Sequence, residues 1–126
     1  MTPAARIDEA LALLSALSIR NLRREHTQRL QGVHGALAYY RAQRFGAEGL
    51  ERLSVSGLPR ELLQRCEATL ELALFAPGQT LPQRKMLRGC LGTVRAVRRA
   101  LDQEADAQCW TARDWGAAAM PTGDRV

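Results

Sequence analysis

The sequence predicts an all-α fold, a four- to five-helix bundle with a short Trp-containing C-terminal tail. Three observations carry that expectation. Apolar residues return at steps of three and four along most of the 126 residues, no stretch alternates as a half-buried strand would, and only 5% of the residues are aromatic. With an apolar content of 46%, the core must be built from Leu, Ala and Val, the common stock of helix bundles. The length suits one domain with one core.

Thr2-Pro3 reads as a helix start, because a threonine hydroxyl caps free amides and proline fits the first turn. Asp8 and Glu9 then fall toward the positive end of the helix dipole. Ile7, Ala10, Leu11, Leu14 and Leu17 keep helical spacing, which slips between Ser18 and Asn21. The pattern resumes as Leu22, His26, Leu30, Val33, Leu37 and Tyr40. A single helix to Phe45 would be roughly 60 Å long at 1.5 Å per residue, so a break is expected near Ser18. Gly46 closes the second helix. Residues 47–57 read as a short helical turn around Leu50 and Leu53, then a loop.

Pro59 begins a further helix, with Glu61 in its first turn and Leu62, Leu63, Cys66, Leu70, Ala73 and Leu74 on its apolar side. Ala76-Pro77-Gly78 ends it. Thr80 and Pro82 begin the last long helix, with Leu87, Cys90, Leu91, Val94, Val97, Leu101 and Ala105 facing inward. The expected core comprises Leu14, Leu30, Val33, Leu37, Leu62, Leu70, Leu91, Val94 and Leu101. The domain division is 1–108 for the bundle and 109–126 for a C-terminal tail, mobile from about Gly116, in which Trp110 and Trp115 invite packing against the bundle or a partner.

The net charge of +5 is uneven. Residues 1–46 hold seven basic and three acidic groups, residues 47–78 three and five, and residues 79–108 six and three. Such alternation suits segments that pack side by side better than it suits a polyanion-binding surface. All the basic residues except Lys85 are arginine, which fits a GC-rich genome. No apolar run approaches the ~20 residues of a membrane span, and no secretory signal opens the chain. Cys66, Cys90 and Cys109 are odd in number and widely spaced, which argues for a reducing compartment and a cytoplasmic location.

No arrangement points to catalysis. Metal-binding histidines on a helix favour spacings of three or four, whereas His26 and His34 are eight apart. His26, Cys66 and Cys90 are expected as core or interfacial groups rather than as a metal site, and no cofactor is implied. Glu67 and Glu71 are expected on a solvated face. Gly89 and Gly92 lie inside a helix, unlike the glycines of a phosphate loop.

The last helix carries the expected partner-binding surface. Arg84, Arg88, Arg95 and Arg99 fall within about 60° of one another on a helical wheel, as a ridge beside the apolar arc. Gly89, Gly92, Thr93, Ala96 and Ala100 form a third face of small residues. A helical glycine costs roughly 1 kcal/mol against alanine, so two on one face imply close approach of another backbone. Partner-binding residues are therefore Arg84, Arg88, Gly89, Gly92, Arg95, Ala96 and Arg99, with Trp110 and Trp115 as a second anchor. The expected function is a non-catalytic protein–protein interaction or adaptor domain, its partner another protein or a second copy. The alternatives are a basic helical nucleic-acid binder, through Arg20, Arg23, Arg24, Arg29 and the ridge, or a bundle holding a small ligand or metal.

One stretch carries a family resemblance. Ala38-Tyr39-Tyr40-Arg41-Ala42-Gln43-Arg44-Phe45-Gly46 ends a helix, Gly57-Leu58-Pro59-Arg60-Glu61-Leu62 begins the next, and Arg65-Cys66-Glu67-Ala68 and Phe75-Ala76-Pro77-Gly78 follow. This order resembles the cytoplasmic helical segment at the C-terminus of BatD-type aerotolerance proteins, over about residues 36–100. The resemblance implies a bacterial, non-catalytic, protein-interacting module linked to a MoxR-type ATPase and von Willebrand A-domain proteins. The β-sandwich domains and membrane span that precede the segment in that family have no counterpart here.

Overall fold

A computed structural model of the chain describes residues 2–46 and 55–119, with side chains as far as Ala105. Among the described residues there are four helices and no strand: α1 (Pro3–Ser18), α2 (Arg24–Phe45), α3 (Pro59–Leu74) and α4 (Leu81–Ala119). The all-α bundle is thus the observed fold. The break expected near Ser18 is present, and the expected turn around Leu50 and Leu53 lies outside the described residues.

Local chemistry explains the boundaries. The Thr2 hydroxyl accepts from the Ala5 amide, with Pro3 in the first turn of α1. Gly46 ends α2 at φ 76°, a left-handed conformation that glycine adopts at little cost. The Glu61 carboxylate accepts from the Leu58 amide ahead of α3. At α4, the Gln83 amide donates to the Thr80 hydroxyl while the Gln83 side chain accepts from the Thr80 amide, a reciprocal cap.

The helices form a square. α1 packs on α2 and α3, and α4 packs on α2 and α3, so α1 lies diagonally from α4 and α2 from α3. Two end-on contacts fix the directions. Arg41, near the end of α2, bonds Asp8 near the start of α1, and Arg44 donates to the Pro77 carbonyl in the α3–α4 turn. At the opposite end, Arg23 and His26 of α2 meet Glu104 of α4. Hence α1 and α4 run one way and α2 and α3 the other.

The core is leucine-rich, as expected. Leu14, Leu30, Val33, Leu37, Leu62, Leu70, Leu91 and Val94 are buried, and Tyr40 is its largest enclosed side chain. Leu101, expected in the core, is only partly buried and packs against its margin. α4 is helical to Ala119, past residue 108 where the sequence placed the end of the bundle; the side chains of Trp110 and Trp115 lie outside the described ones. No helix among the described residues is long and apolar enough to cross a membrane.

Candidate functional site, the groove between α2 and α4

α4 meets its two neighbours differently. Toward α3 it presents arginines. Arg95 Nε donates to Glu67 Oε1 at 3.1 Å and its Nη2 reaches Glu71, while Arg98 bonds Glu67 and, at 3.1 Å, Asp102. Arg60 of α3 closes the row on Asp102 at 2.7 Å. Glu67 is buried rather than on the solvated face expected for it, whereas Glu71 is exposed as expected and pairs with Arg95 at the edge of this interhelical seam. The carboxylates of Glu71 and Glu67 hold the Arg95 guanidinium above its ordinary pKa, and Glu67 foremost does the same for Arg98. Arg95 therefore leaves the expected ridge. Arg84, Arg88 and Arg99 stay exposed, with no ion pair among the described residues.

Toward α2, α4 presents small residues. Gln28, Arg29, Gly32, Val33 and Ala36 of α2 and Met86, Gly89, Cys90 and Thr93 of α4 line an open groove of about 450 Å³. Val33 and Cys90 are buried and Met86 partly so, giving an apolar floor. Gly32 with Ala36, Gly89 with Thr93, and Gly92 with Ala96 are each one turn apart, a spacing that lets a third backbone lie close. Gly89, Gly92 and Ala96 are exposed. A Cβ placed on Gly32, Gly35, Gly89 or Gly92 would meet nothing within 4 Å. The backbone expected to approach the small face of α4 is thus not another part of the described chain. The sequence reading missed the α2 half of this groove, although Gly32, a further glycine inside a helical pattern, carried the signal.

The histidines sit elsewhere. His26 is buried and its Nε2 lies 3.0 Å from Glu104 Oε2, as a core-facing histidine should. His34 Nε2 lies 3.2 Å from the Ser15 hydroxyl beside a cavity of about 260 Å³ between α1 and α2. A hydroxyl and an imidazole begin a nucleophile–base pair. However, both belong to helices whose amides bond along the helix, leaving none to face an oxyanion, and no carboxylate orients His34 among the described residues. Among the described residues no three metal-ligating side chains gather.

Cys66 and Cys90 are buried free thiols. Burial pushes Cys66 up to about 12, aided by neighbouring Cys90 and Glu67, and pushes Cys90 up to about 11. Both therefore act as small apolar groups. A separate buried pair, Asp8 and Arg41 at 2.8 Å, ties α1 to α2, with Arg41 also donating to the Gly46 carbonyl at 2.7 Å. Asp8 and Glu9 thus serve contacts between helices, Glu9 accepting from Thr69 of α3 at 2.9 Å. Comparison with known proteins gives no further assignment: no family model, curated protein or solved structure matches this chain.

Proposed function

We propose that this chain is a non-catalytic protein-interaction domain, and that its docking surface is the α2–α4 groove with the small-residue face of α4. The observation that carries the reading is the pair of helical glycines that line the groove from its two sides, Gly32 and Gly89, with Gly92 on the exposed face of α4, all with open space where a side chain would stand. Each costs roughly 1 kcal/mol of helix stability relative to alanine, and nothing described in the chain repays that loss. A partner backbone lying on these helices would. Arg88 and Arg99 border this face and supply the kind of side chain favoured in interface anchors. An adaptor role of the kind found for the BatD-type cytoplasmic helices, in the cytoplasm, is the setting we infer, on the strength of the motifs around Tyr40, Pro59 and Pro77.

The test is site-specific photo-crosslinking in extract of the native cell. A photoreactive side chain at Gly89 or Gly92 should join one discrete protein species, and the same group at exposed Gln64 of α3 should not. Equal yields from the three positions, or none from the groove, would remove the surface from consideration.

A further inference from the structure

The charge distribution specifies what the groove takes. Every carboxylate whose side chain is described is already engaged by the chain itself. Glu67, Glu71 and Asp102 form the seam, Glu104 meets the start of α2, those of α1 bond Arg41, Arg65 and Thr69, Glu25 pairs with Arg23, and Glu61 caps α3. The cations around the groove are in the opposite state. Arg29 lines it, Arg24 stands one turn before Gln28, and Lys85 one turn before Gly89. All three are exposed, and none has an ion pair among the described residues.

From this we infer that the groove receives an acidic amphipathic helix from a partner protein, as the occupant of the docking surface proposed above, on which this inference rests. The floor of Val33, Met86 and Cys90 calls for an apolar stripe on that helix. Gly32 and Gly89 set how near its backbone can come, and the cations on the two helices call for carboxylates along both its edges. A second copy of this chain fits poorly, because it would bring the same cations face to face. A nucleic-acid strand fits poorly as well. It would lay phosphates over an apolar floor, with no aromatic ring among the described residues of the groove on which a base could stack.

The experiment uses the full chain and a synthetic helical peptide of roughly 18 residues, long enough to hold a helix, with Ala and Leu on one face and Glu on the other. A second peptide replaces every Glu by Gln, and a short duplex DNA serves as the competing class. Binding is read by fluorescence anisotropy at low and high salt. The Glu peptide should bind at least about ten-fold tighter than the Gln peptide, and added salt should narrow that difference. Gly89→Leu and Gly32→Leu should abolish binding while leaving helicity by circular dichroism unchanged, since the space beyond each Cα is open. Arg29→Glu with Lys85→Glu should remove the preference for Glu.

The contrary outcomes separate the two readings. Equal binding of both peptides, lost on Gly89→Leu, would overturn the acidic partner and keep the groove. Binding untouched by both leucine variants would overturn the groove. Binding of neither peptide, or of DNA in their place with loss on the charge-reversal changes, would overturn the acidic helix.

Discussion

The two flanks of α4 come from one helix and one run of sequence, yet they solve opposite problems. On the α3 side, Arg95 and Arg98 are held by Glu67, Glu71 and Asp102, and the surface is electrostatically closed. On the α2 side, Gly89, Thr93 and Cys90 face Gly32 and Ala36 across an open groove, with Arg24, Arg29 and Lys85 unpaired around it among the described residues. A cation on a helix wheel says little until its neighbour is known. A flank whose charges are satisfied internally holds the bundle together, and one that is thinned to glycine while its charges stay free is shaped for something outside it.

The largest contrast should appear in thiol chemistry, because Cys66 lies in the core beneath the seam while Cys90 lines the groove. In a Cys109→Ser background, alkylation at pH 8 should run about 100-fold or more slower in the folded chain than in urea, with Cys90 reacting ahead of Cys66. The pH dependence has a definite sign. Burial raises both thiols, so the folded state keeps its protons while the unfolded chain loses them above about 8.5. Stability should therefore fall as pH rises from about 9 toward 12, and a flat denaturation midpoint across that interval would argue that neither thiol is enclosed.

Next in size is the seam itself. Glu67→Gln leaves Arg95 and Arg98 short of their shared carboxylate and should cost about 1–3 kcal/mol, read as a lower urea midpoint at constant slope. The value falls below that of a fully enclosed ion pair because both arginines keep some contact with water. A smaller effect separates two members of the ridge that the wheel alone makes equivalent. Arg95→Glu sets a third carboxylate against Glu67 and Glu71 and should lower the urea midpoint, whereas exposed Arg88→Glu should leave it unchanged. Equal effects would erase the distinction between the flanks.

Much of the fold was legible because helix ends and buried stripes are local properties. Thr2-Pro3, Gly46, Pro59 and Thr80 act where the sequence placed them, and His26 follows its apolar stripe into the core. The interhelical ion pairs were not legible, since pairing depends on which helices become neighbours. A partial signal was present even so: Arg41 continues the stripe of Leu30, Val33 and Leu37, and Glu67 lies one turn from both Leu63 and Leu70. A charge on a stripe has to find a partner when the stripe is buried. The groove was half legible. Gly89 and Gly92 marked its α4 wall, but the matching wall on α2 emerges only once α2 and α4 stand side by side.

The smallest change in energy tests the central claim most directly, namely that the glycines facing the groove serve nothing inside the chain. The measurement is the thermal unfolding of Gly32→Ala, Gly89→Ala and the double variant. With open space at both positions and better helix propensity, each should gain about 0.4–1 kcal/mol. The double variant should then melt higher than the parent by roughly 3–10 °C. A lower melting temperature in either single variant would mean that the chain's own backbone or side chains fill that space, and the groove would no longer be a surface left open for a partner.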